Sequence, residues 1–378
     1  MNTAISSSVP IARWVDHPPG SEVEDSLARI ARVPGVVRIA VMPDVHLAEE
    51  ACVGTVVATT DTLLPNAVGG DIGCGMLSQK FSLHADHLRD PAIAGQVLRE
   101  LYKRVPAGRH HLPHRLPDSI DPAQLSHPTL ATEARRDGAI QLGTLGRGNH
   151  FVELQRDDDD QLWVTIHTGS RGMGQAIRNL YVPQSQRMEG VSVLAASSAL
   201  GQAYINDSHW ARRYARENRL HILAAVAEVL RQMFEAVPIP DTLIHADHNH
   251  VQQEEHFGQL LWVHCKGATS ARPGEQGVVP GSMGTATYHV EGRGQPDSLM
   301  SCSHGSGRKF SREQARKKIS TGMLLSQMKG VWFDTRHAST LRDEAPAAYK
   351  DIHRVMRAQA SLIKVARVLR PVLVYKGA

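Results

Sequence analysis

The sequence predicts an α+β fold, and three observations lead there. Segments rich in Val, Ile and Thr read as strands, helical segments are mixed irregularly among them, and polar glycine-rich turns follow the strand ends. At 378 residues the chain is long enough for one large domain or two, and neither an internal repeat nor a linker divides it. The chemically informative residues are scattered over the whole length, so distant segments are expected to converge on one cleft.

In chain order, GVVRIAVMPDVH (35–46) and CVGTVVATT (52–60) read as buried strands, and an amphipathic helix is predicted over 91–105. Residues 106–130 are expected to form a surface loop with solvated histidines, because 106–128 hold five prolines and four histidines. LWVTIH (162–167) is a strand running into the turn Thr168-Gly169-Ser170-Arg171-Gly172, with a helix beyond. The Ala-rich stretch 192–236 predicts two helices broken near 217–219. LLWVH (260–264) is a further strand, and 265–312 is mostly turn chemistry. A final helix is predicted over 346–369, then a short strand, 372–375, before Lys376-Gly377-Ala378.

Composition narrows the class. With 42% hydrophobic and 21% charged residues the chain reads as globular, and its net charge of +4 permits a polyanionic partner without requiring one. Four cysteines in so long a chain do not make a disulfide framework. No segment reaches the length of a membrane span, and MNTAISSSVPIARWVDHPPG lacks a signal-peptide core, so a cytoplasmic location and no membrane partner are expected.

Five residues have the chemistry of metal ligands: Asp71 and Cys74 in GDIGCGM (70–76), His150 after Asn149, His167 at a strand end, and His248 in HADHNH (245–250). Each alone has an ordinary reading as a turn carboxylate, buried thiol or loop imidazole. Together, beside glycine turns, they suit one or two divalent transition ions, and a thiolate can bridge two. Thiolate with imidazole points to zinc, whereas the carboxylate and positions open to phosphate oxygens suit manganese equally. Pro280-Gly281-Ser282-Met283-Gly284 offers consecutive backbone donors that suit a triphosphate, and Lys266, Arg272, Arg171 and Arg308 are expected to supply positive charge close to such turns. In SCSHGSGR (301–308), His304 stands among small residues that let an anion approach the ring.

These segments resemble the RtcB-type RNA ligases, GTP-dependent enzymes that join RNA ends bearing a 3′-phosphate or 2′,3′-cyclic phosphate to a 5′-hydroxyl. The matching stretches are MPDVH (42–46), VGGDIGCGM (68–76), LGTLGRGNHFVEL (142–154), HTGSRGMG (167–174), DHNHVQQE (247–254), KGATSARPGEQGVVPGSMG (266–284), SCSHGSGR (301–308), AYKDI (348–352) and YKG (375–377). The resemblance implies one RtcB-like domain across 1–378, with mixed and antiparallel sheets and helices around a central metal-containing cleft. It makes His304 the nucleophile that carries GMP. It makes Asp71, Cys74, His150, His167 and His248 the ligands of two Mn²⁺ ions, with Cys74 bridging.

The guanylate pocket then falls on Asn149, His150, Phe151, Val152, Glu153, His248, Asn249, Pro280, Gly281, Ser282, Met283, Thr287, His304, Gly305, Ser306, Gly307 and Lys376. Glu153 and Lys376 would read the guanine edge, and Asn149 would hold phosphate. The implied partners are GTP and RNA with broken ends (tRNA, rRNA or other), with no stable protein partner expected. Leu47-Ala48-Glu49-Glu50-Ala51-Cys52 departs from the glycines usual after MPDVH, and an acidic pair beside the cleft is expected to influence substrate choice. Asp247 and His250 also flank His248 unusually. With the short length, these changes resemble a shorter branch associated with a release-factor homologue and linked to RNA repair. A phosphoesterase that opens cyclic phosphates without sealing shares the metal ligands but has no use for His304 or Lys376. A non-catalytic RNA-binding relative should have lost ligands, and all five are present.

Overall fold

The structure, a computed structural model, describes residues 9–377, so the first eight residues of the leader-free reading lie outside it. The strand Val36–His46 carries the apolar run 39–43 because it is buried on both faces there. Ala40 and Met42 enter one hydrophobic cluster, while Ile39, Val41 and Val45 enter another. Its neighbour Val53–Thr59 divides likewise, with Val56 and Ala58 on one side and Val57 on the other. These two are the second and third strands of a five-stranded sheet that continues through Gln259–Lys266 to Asn249–His256.

A larger sheet runs in the order Ile244–Asp247, Gly75–His84, Gln161–Thr168, Phe151–Arg156, Ile363–Lys376, Thr287–Gly292, Gln276–Pro280, with Trp332–Phe333 beside Ile363–Lys376. Its two faces differ in kind. Leu77, Val152, Leu154, Val164, Ile166, Leu373 and Tyr375 point to an apolar layer, where the helices Pro91–Arg104 and Ala199–Phe234 bring Val97, Leu101, Ile222 and Val226 against them. The opposite face carries Ser78, Thr165, Gln155 and Glu153, joined by hydrogen bonds: Thr165 Oγ1 donates to Gln155 Oε1 at 2.6 Å, and Gln155 Nε2 to Glu153 Oε2 at 2.7 Å. Strand alternation therefore turns one side of this sheet to the core and leaves the other polar.

Four expectations are corrected. The stretch 192–236 is a strand, Val191–Ala195, and then one unbroken helix, Ala199–Phe234, started by the Ser198 hydroxyl accepting from Gly201 N. Asn218 and Arg219 look like a break but face a polar seam: Asn218 Oδ1 accepts from Gly143 N, and Arg219 donates to the carbonyls of Gly73 and Thr168. The stretch 265–312 contains the short strands Ala268–Ser270, Gln276–Pro280, Thr287–Gly292 and Ser301–Ser303 among its turns. The predicted helix over 346–369 shrinks to Ile352–Ala358, because Ile363–Lys376 pairs on both sides with strands and tertiary pairing overrides helix-forming Ala, Arg and Leu. The 106–130 segment is irregular, but Ile120, Leu125 and Leu130 anchor it in a core cluster and His110 is half-buried.

Among the described residues no helix is long and apolar enough to cross a membrane.

Candidate active site

The site lies where the sheets meet. A row of directly opposed residues crosses the large sheet as Ala246, Met76, His167, Phe151 and Lys376, so their side chains share a face. His248 is the one residue between Ile244–Asp247 of the large sheet and Asn249–His256 of the five-stranded one. Its amide donates to Cys74 O at 2.8 Å and its carbonyl accepts from Ala268 N at 3.2 Å, which pins it at the junction.

Two triads of donor atoms form here and share a sulfur. Cys74, His167 and His248 offer ligand atoms that all lie within 4.8 Å of one another, and so do Asp71, Cys74 and His150. Cys74 Sγ is 3.2 Å from His167 Nε2 and 3.6 Å from His150 Nε2. His150 Nε2 is 2.9 Å from Asp71 Oδ2, and the Nε2 atoms of His167 and His248 are 3.4 Å apart. That last separation is the edge of a tetrahedron with bonds of about 2.1 Å, the spacing of imidazoles around one ion. Burial, followed by their neighbouring imidazoles, holds His167 and His248 well below the usual histidine range, as ligands that must be neutral require. Burial and then Asp71 push the Cys74 thiol well above its ordinary value, so a thiolate there needs a cation. The residues present therefore fit first-row divalent ions. Gly169 makes room for them: a Cβ there would come within 2.1 Å of Asp71 Oδ1.

His304 follows the strand Ser301–Ser303, and its ring centre lies 4.6 Å from that of His248. Its Nδ1 is 2.6 Å from Oδ2 of Asp44, a fully buried carboxylate on Val36–His46. A carboxylate accepts, so Nδ1 carries the proton and Nε2 keeps its lone pair. Two glycines with positive φ permit the approach. A Cβ on Gly267 would meet the His304 ring at 3.0 Å, and one on Gly307 would meet Asp44 O at 2.2 Å.

Beyond His304 opens a cavity of about 350 Å³. The structure brings Asp71, Cys74, Asn149, Phe151, Glu153, His167, His248, Asn249, Pro280–Met283, His304–Gly307 and Lys376 together in its lining. Three expected residues are not in the lining. The Val152 side chain points to the opposite, apolar face of its strand, and Thr287 stands behind the wall, its hydroxyl accepting from Gln155. His150 lies against Asp71 and Cys74 instead. Of the four cations, Lys266 and Arg308 line the cavity. Arg171 is tied to Thr144 and Ala107, and Arg272 pairs with Glu254 beside a different cavity.

At the deep end, burial raises the Glu153 carboxyl to about 7 against the pull of Gln155 and Lys376. Lys376 is itself paired with Glu344 at 2.6 Å. Burial opposes charge on Glu344 too, yet Lys376 and Arg312 bring it down to about 2. Glu344, Arg312, Tyr349 and Asp44 were not singled out from sequence. Asp44 alone left a signal, an acid inside an apolar strand. The Glu49–Glu50 departure is neutralised: Glu49 pairs with Arg178, and Glu50 pairs with Arg187 and accepts from Ser192 N.

Fold and site together define a protein in which two triads of metal-type donors share one sulfur and face a histidine held by a carboxylate. The family model described as "tRNA-splicing ligase RtcB" matches residues 26–128 and 119–377. The RNA-splicing ligase RtcB of Escherichia coli K12 is 34% identical over 98% of both chains. A Mycobacterium bovis RNA-splicing ligase RtcB is 30% identical, covering 93% of this chain and all of its own, and the tRNA-splicing ligase RtcB of Methanococcus maripaludis is 28% identical, covering 94% and 92%. The chain belongs to the RtcB family.

Proposed function

We propose that the protein is an RNA ligase that joins 3′-phosphate or 2′,3′-cyclic phosphate ends to 5′-hydroxyl ends with GTP, in RNA repair or tRNA splicing. The observation that carries this reading is the shared Cys74 sulfur of two ligand triads facing a histidine whose Nε2 is free to attack. Asp71, Cys74 and His150 would hold one Mn²⁺, and Cys74, His167 and His248 a second; bound ions supply positive charge to phosphoryl oxygens.

His304 Nε2 attacks the α-phosphorus of GTP, the bond to the leaving oxygen breaks, and pyrophosphate departs. Asp44 holds the Nδ1 proton and stabilises the positive ring that results. A cyclic end is first opened by water to a 3′-phosphate. An oxygen of that phosphate then displaces His304 from the guanylate, giving an RNA-ppG end. Finally the 5′-hydroxyl attacks the RNA phosphorus, loses its proton, and releases GMP. Lys266 and Arg308, which share the cavity lining with Arg312 and Lys376, would stabilise the negative charge each step builds. Glu153 and Lys376 would recognise guanine at the cavity's deep end.

Incubation with α-labelled GTP and manganese tests this: the protein should retain acid-labile, alkali-resistant label and pass it to RNA 3′-phosphate. A phosphoesterase would open cyclic ends and take up no label. The fixed His304 tautomer and the buried Glu153–Lys376 end favour the ligase, since the hydrolytic reaction uses neither.

A further inference from the structure

A second cavity, of about 700 Å³, shares no lining residue with the catalytic pocket. One wall is the helix Ala199–Phe234, which presents Arg212, Arg216 and Arg219 at i, i+4 and i+7, one helical face. Arg213 and Arg272 also line it, with the acids Asp247 and Glu275, and Glu254 pairs with Arg272 from beside the lining. Asp247 is committed to Arg212 at 2.8 Å, and Glu275 accepts from the Ser270 hydroxyl. Five arginines against three carboxylates leave an excess of two positive charges. Like charges at i, i+4 repel on a helix, so this stripe is unfavourable until an anion faces it. Arg216 is exposed, and among the described residues it makes no side-chain hydrogen bond or ion pair.

A second observation points to the same kind of ligand. His245, also in the lining, accepts at Nε2 from Arg219 Nε at 2.7 Å. Arginine only donates, so the ring proton is on Nδ1, and that atom is buried without an acceptor among the described residues. A phosphate oxygen would satisfy it. The lining has no Phe, Tyr or Trp, and Ala246 is its one apolar residue, so charge and polar contacts dominate what it offers a ligand.

From this geometry we propose that the cavity holds backbone phosphates of the RNA substrate, away from its broken ends and without reading sequence. The proposal rests on the ligase reading for the identity of the polyanion.

The test is anisotropy of a labelled structured RNA against salt, with the full chain and the double variant Arg216→Gln/Arg272→Gln. Each lost phosphate contact should lower the slope of log K against log salt by about 0.7–0.9, so a fall of about 1.5 is expected. Affinity at about 0.1 M salt should drop roughly tenfold, and the matching double lysine variant should restore most of it. GTP labelling and sealing of short oligonucleotide ends should stay unchanged. If the double variant folds poorly, Arg216→Gln alone, at an unpaired exposed position, should lose about half of that slope. An unchanged slope in a variant that still labels and seals overturns the cavity's role. Wild-type protein that shows the expected slope loss on substitution yet never takes up label overturns the ligase reading while supporting the phosphate site.

Discussion

His304 Nδ1 sits 2.6 Å from Asp44 Oδ2, although 260 residues separate them in the chain. Among the described residues the second oxygen of Asp44 is buried with no partner, so the carboxylate's strong contact is this ring. The pair fixes which imidazole nitrogen faces the catalytic cavity.

Asp44→Asn keeps the shape but lets an amide N–H face Nδ1, which moves the ring proton to Nε2. Single-turnover labelling by GTP is expected to slow by about 100-fold or more, within the range for losing a positioned proton-holding group. Metal content, measured by mass spectrometry, should not change.

His304→Ala and Cys74→Ala should separate two roles. The first is expected to bind metal normally and take up no label. Loss of Cys74 removes a donor from both triads, so metal content and sealing should fall together.

Glu153 gives a pH signature. Its carboxyl titrates near 7 in the fold and at about 4.5 unfolded, so its ionised form weakens the fold above about pH 4.5, increasingly until about 7. Glu153→Gln should therefore raise Tm at pH 8 while weakening GTP binding. In the parent, GTP affinity measured by calorimetry should rise as pH passes upward through about 7.

Glu344 has the opposite sign. Held at about 2 by Lys376 and Arg312, it contributes stability that is present above about pH 4.5 and lost as pH falls toward 2. Glu344→Gln leaves Lys376 unpaired at its buried site and should cost roughly 3–5 kcal/mol by denaturant titration. That loss should shrink as the parent is acidified.

Val152→Ala tests the face assignment. The side chain lies in the apolar layer, so the change should cost about 1–2 kcal/mol of stability and leave KM for GTP unaltered. A raised KM with unchanged stability would place Val152 in the pocket instead.

The sequence by itself determined the buried strands around Ile39 and Val57, the glycine turns, the five metal-type donors and the family, because each is written in local composition or contiguous motifs. It misjudged 346–369, where Ala, Arg and Leu favour a helix in isolation but strands on both flanks supply more pairing than a lone helix could. Only the tertiary structure decided that Cys74 belongs to two triads, that Asp44 orients His304, and that Glu153 faces the cavity while its neighbour Val152 faces the core. Those outcomes depend on strand register and sheet crossing. A one-residue change in register would turn every side chain of a strand to the other face, and nothing local to Phe151–Arg156 specifies which strands lie beside it.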